Sequence, residues 1–112
     1  MSRRVQLSKV LCGRCVDERR SRPGVLGEVW KLPKGRVNWY GHDPRWTRAM
    51  RREWPDRPWR MRSGLTLAFP GYRVDVPDCI DVWCRHHGQG QVLVVAITEA
   101  RGTVPIEYQA TT

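Results

Sequence analysis

Leu11-Cys12-Gly13-Arg14-Cys15 and Val82-Trp83-Cys84-Arg85-His86-His87-Gly88 are the two stretches on which the reading of this chain turns. In the first, a Cys-x-x-Cys turn with Gly inside lets backbone amides point at two sulfurs and lets both thiolates reach one cation. That is the usual first half of a tetrahedral zinc site. In the second, Cys84 and His87 have Cys-x-x-His spacing, and the following Gly88 suits a tight turn. Zinc accepts mixed sulfur and imidazole donors, so Cys12, Cys15, Cys84 and His87 make a Cys₃His set for one structural Zn²⁺.

Other assignments of the same residues stay open at this level. His86 competes with His87, although Cys-x-His is a cramped spacing. Cys79 competes through Cys79-x₄-Cys84 as the fourth sulfur of a Cys₄ site; otherwise it is a small buried apolar residue beside Ile80. Two disulfides, or a redox pair at Cys12 and Cys15, are the remaining readings. A redox pair normally follows a strand and opens a helix. Here the residues after Cys15 are polar and soon interrupted by Pro23-Gly24. The 68 residues between Cys15 and Cys84 make each half of the site clearer than their pairing.

Leu-Cys-Gly-x-Cys near the start and Trp-Cys-Arg-x-His-Gly later resemble the small zinc-ribbon-type proteins of actinobacteria and their phages. The resemblance covers residues 11–15 and 83–88. It implies that Cys12, Cys15, Cys84 and His87 are the ligands. It implies no activity, because such proteins share none.

Working outward from the knuckles, the chain of 112 residues fits one zinc-stapled domain, 1–112, with a basic helical insertion at about 43–62. Leu, Ile, Val and Phe number 24, so the core is thin and a metal or a partner would help it order. Residues 1–11, with Val5 and Leu7 alternating, suggest an edge strand into the first knuckle, and 16–24 a charged loop. Residues 25–32 and 36–40 read as a hairpin around the turn at 33–35. Asp43-Pro44 is a helix start, Asp as N-cap and Pro at the first position. Trp46, Ala49, Met50 and Trp54 then form an apolar stripe that Pro55 ends. A Pro-rich loop over 55–60 follows. Strands are expected at 65–69 and 72–76 around a turn at 70–71, and again at 81–83. The β-branched run 91–98 suggests a buried central strand. A short strand at 104–108 and a frayed tail at 109–112 complete a mostly β chain with one inserted short helix, an α+β, zinc-ribbon-like domain.

Charge is unevenly spread. The formal net charge is +9, with residues 1–62 carrying +11 and residues 63–112 carrying −2. Arg outnumbers Lys 17 to 3, which codon bias alone accounts for; it does not account for the excess of positive charge. Five of the six tryptophans fall between residues 30 and 59, interleaved with Arg. Rings and guanidinium groups together serve single-stranded nucleic acid binding, by stacking and phosphate contact. In a chain short of Leu and Phe, Trp is also the main core filler, and Trp46 at helical spacing suits that role better. The candidate contacts are Arg19, Arg20, Arg45, Arg48, Arg51, Arg52, Trp59 and Arg60. The partner is expected to be DNA or RNA or, through the same patch, an acidic protein of a phage host.

Catalysis finds little support. The carboxylates Asp75, Asp78 and Asp81 have no clear catalytic partner, and there is no phosphate-binding Gly loop or Ser nucleophile motif. No apolar run reaches 18 residues, so no membrane span is expected. Residues 5–11 lack a signal-peptide core, so the expected location is the cytoplasm, the host's if the protein is phage-encoded.

Overall fold

The alternation in the first residues is that of a strand. β1 (Val5–Cys12) turns Ser8, Val10 and Cys12 inward and leaves Val5, Gln6 and Lys9 in solvent, the period of two that a pleated backbone imposes. The geometry is that of a computed structural model, which describes residues 4–53, 55, 63–68 and 77–111. After β1 comes a short helix, α1 (Gly13–Asp17). β2 (Val25–Lys31) and β3 (Val37–Gly41) then form the expected antiparallel hairpin around a 3₁₀ turn at Pro33–Gly35. That turn needs left-handed backbone at Lys34 (φ 67°) and Gly35 (φ 70°), which Gly adopts at no steric cost. Trp39 of β3 is 3% exposed and lies over Gly27, where a Cβ would come within 2.5 Å of its ring. This tryptophan is a core filler.

α2 (Pro44–Glu53) begins where Asp43-Pro44 predicts, and the Arg45 amide donates to Asp43 Oδ1 at 2.9 Å. The acceptor satisfies one of the amides that a helix start leaves without a partner. Ala49 is exposed rather than part of a buried stripe. The side chains of Trp46 and Met50, and all of Trp54, lie outside the described residues, as do 56–62, the turn at 70–71 and the strand expected at 72–76. β4 (Ser63–Ala68) pairs with β3.

These strands make a five-stranded sheet in the order β4-β3-β2-β1-β7. β7 (Gly102–Ile106) runs parallel to β1, with Val10 opposite Val104 and Cys12 opposite Ile106. β1 is therefore an interior strand and not the expected edge strand; its second neighbour comes from the far end of the chain. A second sheet has the order β5-β6-β8. Its members are β5 (Cys79–Cys84), β6 (Gly88–Leu93) and β8 (Gln109–Ala110). The tail expected to fray at 109–112 is thus tied down through residue 111: β8 pairs with β6, and the Thr111 amide donates to the Gln89 carbonyl at 2.9 Å.

The run expected as one central strand over 91–98 is divided. β6 ends at Leu93, opposite Cys79, the first residue of β5. The Val94 amide still donates to the Asp78 carbonyl at 2.9 Å, and from there the chain winds into α3 (Val94–Glu99). Val94 and Ile97 point inward with helical spacing, while Val95 is 57% exposed. Arg101 donates to the carbonyls of Thr98 and Ala100, at 2.9 and 2.7 Å, and so closes the helix end. β-propensity describes how a side chain suits a paired surface, and the paired register of β5 with β6 ends at Cys79 and Leu93.

One apolar core joins both sheets and α3. It includes Val10, Leu26, Val29, Trp39, Leu67, Ile80, Val82, Val92, Ile97, Ile106 and Tyr108. No described helix is long and apolar enough to cross a membrane.

Candidate metal centre

Strand alternation aims both knuckles at one point. Cys12 ends β1 on its inward face, with Ser8 and Val10; Cys84 ends β5 on its inward face, with Ile80 and Val82. Cys15 lies in the single turn of α1, and His87 lies in the turn between β5 and β6. Cys12, Cys15 and Cys84 are each 0% exposed, and the His87 side chain is 7% exposed. Among the described residues, the four ligand atoms form a cluster that could hold a metal ion, all within 4.8 Å of one another.

The distances can be set against what a metal requires. Tetrahedral zinc, with Zn–S about 2.3 Å and Zn–N about 2.0–2.1 Å, separates two sulfurs by roughly 3.8 Å and a sulfur from a nitrogen by roughly 3.5 Å. Cys15 Sγ and Cys84 Sγ are 3.5 Å apart. His87 Nδ1 is 3.4 Å from Cys84 Sγ, 3.5 Å from Cys15 Sγ and 3.7 Å from Cys12 Sγ. The sulfurs are too far apart for disulfides, and all four cysteines are free. Four protein donors in a buried setting leave no open position, which is the form of a structural site.

The same geometry decides between the alternative ligands. His86 turns away: its Nε2–H donates to the Arg22 carbonyl at 3.0 Å, and only its backbone amide addresses Cys84 Sγ, at 3.4 Å. Cys79 sits five residues before Cys84 on β5, so the period of two puts it on the opposite face, with Asp81 and Trp83. It is half-buried and not among the clustered donors. The strand-to-helix setting that a redox pair uses is present after all, because Gly13 opens α1 directly after β1. What distinguishes this pair is the convergence of Cys84 and His87 upon it.

Sequence reasoning missed one member of the site. His87 Nε2–H donates to Glu18 Oε1 at 2.6 Å, which leaves the Nδ1 lone pair facing the three sulfurs. Glu18 also receives Arg20 Nε at 3.1 Å and lies 3.9 Å from Arg14 Nε. Partial desolvation works against its charge, but the hydrogen bonds from Arg20 and His87 outweigh that and hold the carboxyl below its usual range. Its place follows from how α1 ends. Arg19 adopts left-handed backbone (φ 57°), the Arg20 amide donates to the Cys15 carbonyl, and the Arg19 amide donates to the Val16 carbonyl. This is a Schellman ending, with Arg where Gly is common.

The thiols sit in unequal settings. Burial pushes Cys12 up to about 12, against the pull of the Cys15 backbone amide and with neighbouring Cys84 adding to the rise. Cys84 comes down to about 7: burial opposes its ionisation, but the His86 amide, the His87 ring and the His87 amide together outweigh it. A cation among them would stabilise every thiolate. Tyr108 closes the centre from one side. Its hydroxyl donates to the Gly88 carbonyl at 2.8 Å, and its ring centroid lies 5.8 Å from that of His87.

The described residues expected to meet a partner lie on α2 and at the end of α1. Arg45, Arg48 and Arg52 of α2 and Arg19 and Arg20 of the first knuckle are exposed. Arg45 is committed to Asp43 through Nε at 3.0 Å and Nη2 at 2.7 Å. The side chain of Arg51, and Trp59 and Arg60 entirely, lie outside the described residues. Trp30 is partly buried, donates to Glu28 Oε2 at 3.1 Å and carries Arg4 over its ring at 5.0 Å.

Fold and site together define a small, mostly β chain with a Cys₃His cluster, able to hold a metal ion, where two sheets meet. No protein family, curated protein or solved structure matches the chain.

Proposed function

We propose that the protein is a zinc-stapled, non-catalytic nucleic-acid-binding protein. The observation that carries the metal half is that His87 Nδ1 lies 3.4–3.7 Å from all three sulfurs and that Cys15 Sγ and Cys84 Sγ are 3.5 Å apart, close to tetrahedral spacing. A sulfur-rich set of four protein donors suits zinc in preference to hard cations, which take oxygen ligands. With β1 and β5 each ending at a ligand, the ion would hold the five-stranded sheet against the three-stranded one.

The nucleic-acid half is supported by the net charge of +9 and by exposed Arg on α2 and on the knuckle loop. Arg suits phosphate because its planar fork meets two oxygens at once. Binding of this kind is largely independent of sequence and weakens steeply with salt.

Two measurements test the proposal. Native mass spectrometry of untagged protein should give one zinc per chain with four reduced cysteines. Titration of a labelled oligonucleotide at several salt concentrations should give a linear fall of log affinity with log salt. Protein without metal, or with two disulfides, overturns the zinc centre. Absence of nucleic-acid binding at low salt, with retention of an acidic polypeptide, overturns the nucleic-acid reading in favour of a protein partner.

A further inference from the structure

We infer that the two knuckles together build a phosphate-binding cleft, and that this cleft, rather than helix α2, makes the main contact with a nucleic-acid backbone; the inference rests on the proposed function and gives it a location. Arg20, Ser21 and Arg22 form one wall and Arg85 and His86 the other, around an open cleft of about 340 Å³. All five residues are exposed. They are remote in sequence and meet because each stretch adjoins the clustered Cys and His residues. Arg20 to Arg22 follow Cys15 and α1, and Arg85 and His86 lie between Cys84 and His87.

Three features suit this cleft to a phosphodiester. First, its walls are joined: His86 Nε2–H donates to the Arg22 carbonyl at 3.0 Å, so the imidazole is used as a tie between the two loops. Second, two of its three guanidinium groups are not neutralised, Arg20 alone being paired with Glu18 at 3.1 Å. Among the described residues, no carboxylate lies within ion-pair distance of Arg22 or Arg85. The nearby Glu18 is taken up by Arg20, Arg14 and His87. Third, the Schellman ending of α1 holds the backbone as far as Arg20, the His86 bond holds the Arg22 carbonyl, and Arg85 sits in the β5–β6 turn, so less order has to be imposed on binding. Two forked donors and the Ser21 hydroxyl match the oxygens of a phosphate. Arg45 of α2 is engaged with Asp43 as Arg20 is with Glu18, so among the described residues the free guanidinium groups to compare are Arg22 and Arg85 in the cleft and Arg48 and Arg52 on α2.

The test uses the zinc-loaded 112-residue protein and labelled oligodeoxythymidylate, with binding read by fluorescence anisotropy across a salt series. Arg22→Gln/Arg85→Gln should make the salt slope shallower by about 1–1.5, as expected for two lost contacts to a single strand at about 0.7 each. Arg48→Gln/Arg52→Gln should change it less. Arg22→Lys/Arg85→Lys should keep the slope and weaken binding, because charge remains while the fork is lost. Zinc content and circular dichroism of each variant establish that it is folded. A wild-type slope in Arg22→Gln/Arg85→Gln overturns the cleft and leaves nucleic-acid binding standing. Failure of the wild type to bind at low salt overturns both. Binding of labelled polyglutamate in place of the oligonucleotide, lost in Arg22→Gln/Arg85→Gln, assigns the cleft to an acidic protein and overturns the phosphodiester.

Discussion

His87 donates through Nε2 to Glu18 at 2.6 Å while its Nδ1 faces three cysteine sulfurs, so one carboxylate fixes both the tautomer and the orientation of the ring. A carboxylate behind a ligating imidazole raises its basicity and holds its plane, and losing such a partner typically weakens metal binding 10- to 100-fold. Glu18→Ala should therefore lower zinc affinity by about one to two orders of magnitude, read by competition with a chromogenic chelator. The fold should persist at saturating zinc. Unchanged affinity would mean that the contact is only a surface ion pair.

The ligand assignment separates neighbours in sequence. Cys12→Ser, Cys84→Ser and His87→Ala should abolish stoichiometric metal and give unfolded or insoluble protein, because metal-binding energy in small sites is folding energy. His86→Ala and Cys79→Ser should retain one zinc per chain. Chelation of the wild type should erase its cooperative thermal transition, since apparent zinc-binding energies of about 10–16 kcal/mol match or exceed the net stability of a typical domain. A well-folded Cys84→Ser protein with bound zinc would contradict the set.

Two glycines leave no room at the centre. A Cβ at Gly24 would lie 2.7 Å from Cys84 Sγ, and one at Gly90 would lie 2.3 Å from the Tyr108 ring. Gly24→Ala should displace a ligand and so lower metal affinity as well as stability. Gly90→Ala should cost about 1–3 kcal/mol, the usual range for overpacking, with affinity little changed once zinc is saturating. Denaturant midpoints and chelator competition on the same samples distinguish the two.

Asp43 sets the start of α2. Asp43→Ala should cost about 1 kcal/mol, whereas Asp43→Asn should recover most of it through its side-chain oxygen. The hydrogen bond from Arg45 holds the Asp43 carboxyl below its usual range, against a partial loss of hydration. Its ion pair therefore stabilises the fold above the unfolded-state value near 3.9 and is lost as pH falls through the lower folded value. The difference between wild type and Asp43→Ala should hold constant from about pH 7 to about pH 5, by urea denaturation. A difference that shrinks within that window would place the titrating group elsewhere.

Local chemistry was legible without coordinates. The ligand spacings, the hairpin around residues 33–35, the Asp43-Pro44 helix start and the excess of positive charge all depend on residues a few positions apart. Backbone sterics and capping act at that range. The run 91–98 shows where local preference ends: its β-branched residues suit a strand, but a strand exists only while a partner runs beside it, and the β5–β6 ladder ends at Cys79 and Leu93.

The sequence by itself determined two half-sites, each with the residue types and turn geometry for sulfur and imidazole to share a cation. Only the tertiary structure decided that the halves meet, across 68 intervening residues. It also selected His87 over His86, put Cys79 on the far face of β5, and brought Glu18 behind the ligand. These outcomes follow from the register of β5 and β6 with the turn that joins them, and from the ending of α1. Register is set by the collective burial of a core drawn from the whole chain, which no short motif encodes.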